Sequence, residues 1–328
     1  MKRYVFIILA AFIHFSNAIS QEVELVLPDE LYLTESNGWA GTHKGWEIQE
    51  KLIGSSSVEE LDSMARHAEK PATRALAFGA LMANDEHKSR CYDILLTKLW
   101  DKDTLLMVSF DVYGIEENVA QYMLNLIVQD SMLTEREIHT LDSIIVFCNG
   151  MEHLDKSWPI SRLMETEDIY ERTKELYLNG ESYLLPFLAE YQNPKDTLLI
   201  IEALREYNIG LDNEGVKKRK NGRTNDALIA VALWSDKAFI PFIEEIRNYE
   251  TKRNYLDYFR IKALFMAVMA YDNKWAYNFI EETFKKVKQK HQIYYQEELY
   301  KAFYQGYSIE RFLPLINKYG KKPILGFF

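Results

Sequence analysis

The chain has 328 residues and a net charge of −10, with 39 basic against 49 acidic side chains, 14 glycines and two cysteines. The acidic balance argues against nucleic acid or an anionic membrane surface as the main partner. The few glycines and the lack of long period-two alternation argue against a β-sandwich or an α/β nucleotide fold, and two cysteines without a CxxC pair give no metal or redox framework.

Lys2 and Arg3 precede an apolar run from Tyr4 to Phe15, and small residues follow at Ser16, Ala18 and Ser20. This order is that of a signal peptide, too short to span a bilayer, with cleavage after Ala18 or Ser20. Residues 1–20 are therefore expected to be removed and the protein exported to a periplasmic or extracellular compartment. The mature chain keeps 37 basic and 49 acidic residues, a net charge near −12. Residues 21–43 form an extended lead-in: Gln21 to Pro28 alternates briefly, and Glu35 to Gly41 is loop-like.

From residue 44 to 328 the pattern is helical with short breaks. Helices are predicted over 44–53, 57–68, 71–83, 86–100, 103–112, 116–129, 134–147, 168–179, 182–191, 194–207, 223–234, 237–249, 252–271, 273–289, 292–305 and 308–319. Ser57 before Glu59 and Glu60, Thr134 with Glu137, and Asp236 are start signals, and Gly150, Gly180, Gly306 and Gly320 suit helix ends.

Three of these segments share a pattern. Leu184/Phe187/Leu188/Tyr191, Phe239/Phe242/Ile243/Ile246 and Phe312/Leu315/Ile316/Tyr319 each place apolar residues at i, i+3, i+4 and i+7, with Pro186, Pro241 and Pro314 near the helix starts. A degenerate copy lies at Ala276/Phe279/Ile280. Phe242, Phe279 and Leu315 are 37 and 36 residues apart, and Phe187 precedes Phe242 by 55. The striped helices alternate with segments apolar nearly all round, Asn225 to Trp234 and Ile261 to Ala270, which need cover on most sides. The expectation is an all-α fold: an irregular α-solenoid of stacked helical hairpins, with Phe187, Phe242, Phe279 and Leu315 buried at equivalent positions. Pro241 stands slightly late in its pattern and predicts a bent or delayed helix there.

Pro71-Ala72-Thr73-Arg74-Ala75-Leu76-Ala77-Phe78-Gly79-Ala80-Leu81 resembles the first helix of a HEAT-type repeat at Pro71, Arg74, Ala77, Ala80 and Leu81, with Thr73 where that family usually has valine. The proline-containing striped helices resemble the family's second helix, and Trp46 to Ala68 looks like the lead-in of exported bacterial HEAT-like proteins. The resemblance covers most of 57–320. It implies an armadillo-like superhelix and protein binding or scaffolding, and it carries over no catalytic residue.

No residue pattern marks a catalytic, cofactor or metal site. No two histidines among His43, His67, His87, His139, His153 and His291 stand three or four apart, and GxSxG, Walker and GxGxxG runs are absent. Asp111, Glu116 and Glu117 near Gly114 are the acids to inspect for acid/base work, against the plainer reading of solvated helix ends. Cys91 and Cys148 both fall in apolar helical patterns, which leaves a disulfide and two buried thiols both open. Lys217, Lys218, Arg219 and Lys220 form a concentrated basic segment, either a docking loop or a solvated connection.

The C-terminal third is rich in tyrosine. Tyr255, Tyr258, Tyr294, Tyr295, Tyr300 and Tyr304 are the candidate partner-binding residues, with Trp275, Arg253 and Arg260 among them. Such residues combine large contact area with a polar handle. The expected function is that of an exported, non-enzymatic helical-repeat protein, binding a protein or peptide without a cofactor, on the concave side of the C-terminal repeats. The alternative is an all-α hydrolase acting on polysaccharide, which would show a deep pocket holding two carboxylates.

Overall fold

The computed structural model describes residues 31–32, 51–83, 87–109, 113–130, 133–164, 167–208, 222–306 and 309–323. Residues 1–20, where a signal peptide is expected, most of 21–43 and the basic segment Lys217 to Lys220 lie outside the described residues. The chain divides into two compact units, Met1–Lys156 and Ser157–Phe328. The described part is predominantly helical, as composition and periodicity predict, and none of its helices is long and apolar enough to cross a membrane.

The first unit is built around one helix buried along its length. A helical turn at 51–55 leads to α1 (Val58–His67), opened by a capping box in which Glu60 N–H donates to Ser57 Oγ and Ser57 N–H to Glu60 Oε2. Next comes α2 (Pro71–Met82). Pro71 occupies its first turn, where a missing N–H costs nothing, and every residue from Ala72 to Met82 is buried. Alanines at 72, 75, 77 and 80 allow close approach of neighbours. Phe78, Leu81, Ile94, Leu95, Met123 and Ile127 are core residues around this helix. After α3 (Lys88–Lys98) come two strands and two further helices, α4 (Val119–Gln129) and α5 (Glu135–Phe147).

The strands correct the helix predicted over 103–112. Leu31–Tyr32 (β1), Thr104–Ser109 (β2) and Tyr113–Asn118 (β3) form a small sheet in the order β1-β2-β3, with β1 parallel and β3 antiparallel to β2. Arg74 explains the extended path after α3. Its side chain is 5% exposed, donates to the carbonyls of Ala68 and Glu69, and pairs with Asp101 and Asp103. The chain is pinned on both sides of Lys102. Val119 N–H then donates to Asp103 O, closing the hairpin, and Asn118 Oδ1 accepts from Gln121 N–H to start α4. Non-local pairing outweighs the helical reading of an apolar run short enough to fit either form.

The second unit starts with α6 (Ser157–Leu163) and α7 (Glu167–Leu178). Four helix pairs follow: α8 (Leu185–Glu190) with α9 (Thr197–Arg205), α10 (Gly222–Leu233) with α11 (Ile240–Glu250), α12 (Tyr258–Met269) with α13 (Lys274–Lys286), and α14 (Gln292–Gln305) with α15 (Leu313–Tyr319). Leading helices pack on leading helices, α8 on α10, α10 on α12 and α12 on α14; among following helices α9 packs on α11 and α13 on α15.

The turns inside these pairs repeat one device. Tyr191-Gln192-Asn193, Trp234-Ser235-Asp236 and Tyr271-Asp272-Asn273 each join an aromatic residue to a capping side chain two positions on. Asn193 Oδ1 accepts from Lys195 N–H, Asp236 Oδ1 from Ala238 N–H and Asn273 Oδ1 from Ala276 N–H. Gln192 and Asp272 take left-handed φ values of 48° and 41° to reverse the chain. Tyr191 Oη donates to Met164 O and Tyr271 Oη to Asp236 O, tying two of the turns back to earlier ones. Short 3-10 turns at Ser182–Leu184, Lys237–Phe239 and Glu310–Phe312 precede the striped helices that carry Pro186, Pro241 and Pro314, so the delayed start expected at Pro241 is found at all three.

The apolar stripes bear out helix formation but not full equivalence. The stripe at Leu184 lies on the leading helix α8, whereas those at Phe239, Ala276 and Phe312 lie on following helices, which accounts for the irregular 55-residue step. Phe279 and Leu315 are buried as expected. Phe187 and Phe242 are only half-buried, and Leu184, Leu185, Leu188, Phe239, Ile243 and Ile246 hold the core instead. The ring of Phe242 lies under the Arg205 guanidinium, 4.9 Å from it, at the edge of the packed layer.

Candidate functional site

The candidate face is built where α12 and α14 begin. Asp257 Oδ1 accepts from Arg260 N–H and starts α12. From that point the helix buries Arg260, Ile261, Leu264, Phe265 and Val268, which turns its first two residues outward. Tyr258 is 44% exposed and Phe259 80%; Tyr255, in the preceding turn, is 81% exposed. Tyr294, in the first turn of α14, meets Tyr258 edge-on with centroids 5.4 Å apart at 61°. Partial burial holds the Tyr258 phenol above its usual range, helped by Tyr294, Glu297 and Glu298 and opposed by Lys301.

The charges beside this pair are unequally engaged. Lys301 Nζ donates to Glu298 Oε1 at 2.7 Å, and Lys262 Nζ donates to Gln305 Oε1 at 2.6 Å. Glu298 is buried. Glu297 has neither hydrogen bond nor ion pair among the described residues.

The six predicted tyrosines are therefore divided. Tyr258 and Tyr294 touch; Tyr300 and Tyr304 form a second pair at 4.4 Å. Tyr295 is a correction: at 1% exposure it packs edge-on to Phe265 inside the unit and presents nothing to a partner. Its helix position explains this, since one residue is a 100° step that carries the side chain from the Tyr294 face into the core. Arg253 and Arg260 are likewise structural. Glu250, fully buried, accepts from both, and Arg260 also donates to Tyr207 O. Trp275 Nε1 donates to Glu244 Oε1, and its ring meets Tyr271 at 5.0 Å. Phe259 was not anticipated. The available signal was an apolar residue lying off the buried stripe of α12.

Among the described residues the other sequence candidates do not gather into a site. Asp111 lies outside the described residues, and Glu116 is exposed. Burial raises the Glu117 carboxyl, while Asn125 Nδ2, donating to Glu117 Oε1 at 3.0 Å, opposes the shift. A groove of about 360 Å³ in the first unit is lined by Gly79, Met82, Ala83, Tyr122, Leu126, Gln129 and Asp130. Asp130 at its rim is paired with Lys88 at 2.6 Å. Cys91 is buried, its thiol pushed up to about 12 by desolvation, and Cys148 is exposed at the end of α5; the two are not bonded to each other. His291 is buried. Among the described residues no group of three or more His, Cys, Asp or Glu could hold a metal ion.

No protein-family model, curated protein or solved structure matches this chain.

Proposed function

We propose that this chain is an exported helical-repeat protein, of the HEAT-like kind its α2 sequence resembles, that binds a protein or peptide partner through the aromatic face of α12 and α14. One observation carries the reading: Tyr255 and Phe259, 81% and 80% exposed, flank in sequence the Tyr258 that pairs with Tyr294. Burying one phenylalanine side chain is worth about 1.5–3 kcal/mol, so such a group on a stable helix start is ready for cover by another surface. The pairwise packing of successive leading helices, the repeated aromatic-x-Asn/Asp turn and the buried Arg74 in the Pro71 helix support the repeat reading.

The test is a photo-reactive phenylalanine analogue at position 259, with position 310 as control, in cells making the full chain. A discrete cross-linked product from 259 and none from 310 is expected. Equal yields, or none, would reject the face. Export is tested by the mass of the purified protein, which should begin at Ile19 or Gln21; retention of Met1 to Phe15 would reject it.

A further inference from the structure

The chemistry beside the Tyr258–Tyr294 pair narrows the class of partner. Two aromatic rings meeting at 61° form a corner with one π face on each wall. Aromatic faces attract cations, and guanidinium groups in particular stack on them. Glu297 lies three residues after Tyr294, on the same side of α14, and is near enough to Tyr258 to raise its phenol. Two ammonium groups on these helices are already engaged, Lys301 on Glu298 and Lys262 on Gln305. Of the charged groups that act on Tyr258, Glu298 and Lys301 bond each other, and Glu297 is left as the unpaired carboxylate, in a chain of net charge −10. Phe259, next to Tyr258 in the sequence, is 80% exposed.

We infer that Tyr258, Tyr294 and Glu297 dock an arginine side chain from a basic segment of the partner. The guanidinium stacks on a tyrosine face and donates to the Glu297 carboxylate. Arginine fits better than lysine because its planar fork can stack and bond a carboxylate at once, whereas an ammonium is a more strongly hydrated point charge. This inference rests on the partner-binding reading and adds to it the partner's chemistry.

The test uses the full mature chain and fluorescein-labelled peptides of alternating glycine with arginine, lysine or glutamate, read by anisotropy at low and physiological salt. The arginine peptide should bind about fivefold or more tighter than the lysine peptide, as a stacked cation and a charge-assisted bond together imply, and the glutamate peptide should not bind. Tyr294→Ala and Glu297→Gln should each weaken arginine-peptide binding by about fivefold. Glu310→Gln, an exposed acid on a different element, should leave it unchanged. Thermal unfolding of Glu297→Gln should match the wild type, which separates lost docking from lost folding. Equal affinity for the arginine and lysine peptides, equal weakening by Glu310→Gln, or no arginine-peptide binding would overturn the proposal. A partner cross-linked at position 259 with a yield indifferent to Glu297→Gln would overturn the arginine docking while leaving the partner face intact.

Discussion

Arg260 Nη1 and Glu250 Oε1 lie 2.9 Å apart with neither side chain reaching solvent, and Arg253 Nη1 bonds the same carboxylate at 2.8 Å. The pair joins the end of α11 to the start of α12, and through Tyr207 O it also holds the segment that follows α9. Two ions taken out of water are stable only while each keeps its partners. Glu250→Ala should therefore cost roughly 3–5 kcal/mol by chemical denaturation, because it removes the shared carboxylate of two guanidinium groups and leaves the buried Arg260 only the longer contact to Asp257, 3.7 Å away, for a counter-ion. A loss below about 1 kcal/mol would mean that solvent reaches the site.

Phe239 and Phe242 test where the stripe of α11 faces. Phe239 is fully buried and meets Trp234 at 5.6 Å, while Phe242 lies half-exposed under Arg205. Phe239→Ala should cost about 3–5 kcal/mol, and Phe242→Ala roughly half of that or less, since part of its ring already meets water. The reverse order would place the stripe as the sequence pattern alone suggests.

The Tyr295 hydroxyl is buried without a hydrogen-bond partner, and burial together with Glu250 pushes its phenol far above the usual range. An unsatisfied buried donor costs about 1–3 kcal/mol. Tyr295→Phe keeps the ring against Phe265 and removes that cost, so its midpoint of thermal unfolding should equal or exceed the wild type. A fall would show that the hydroxyl is bonded in solution.

Asp226 on α10 is raised to about 6 by desolvation. A carboxyl whose folded pKa stands above its unfolded value penalises the fold once ionised. The penalty is absent below the unfolded value of 3.8, grows as pH rises toward 6, and is complete above it. Asp226→Asn should accordingly stabilise the protein at pH 7 to 8 by about 1–2 kcal/mol, after discount for its partial exposure, and the gain should vanish near pH 4. A gain that is the same at both pH values would trace to the amide rather than to the charge.

Local chemistry determines much of this protein from its sequence alone. Ser57, Thr134 and Asp236 announce helix starts because a short polar side chain satisfies orphan amides within its own turn. Pro71, Pro186, Pro241 and Pro314 mark first turns for the same local reason, and the 3.6-residue spacing of apolar side chains identifies the helices that bury a face. Tertiary structure decided what local rules leave degenerate. Thr104–Ser109 became a strand because a buried guanidinium 30 residues earlier holds the acids before it and β3 offers a partner. Adjacent tyrosines in one helix, Tyr294 and Tyr295, parted to surface and core by a rotation that composition cannot register. Which carboxylate is free depends on side-chain geometry within α14: Lys301 follows Glu297 by four residues and Glu298 by three, and it bonds Glu298.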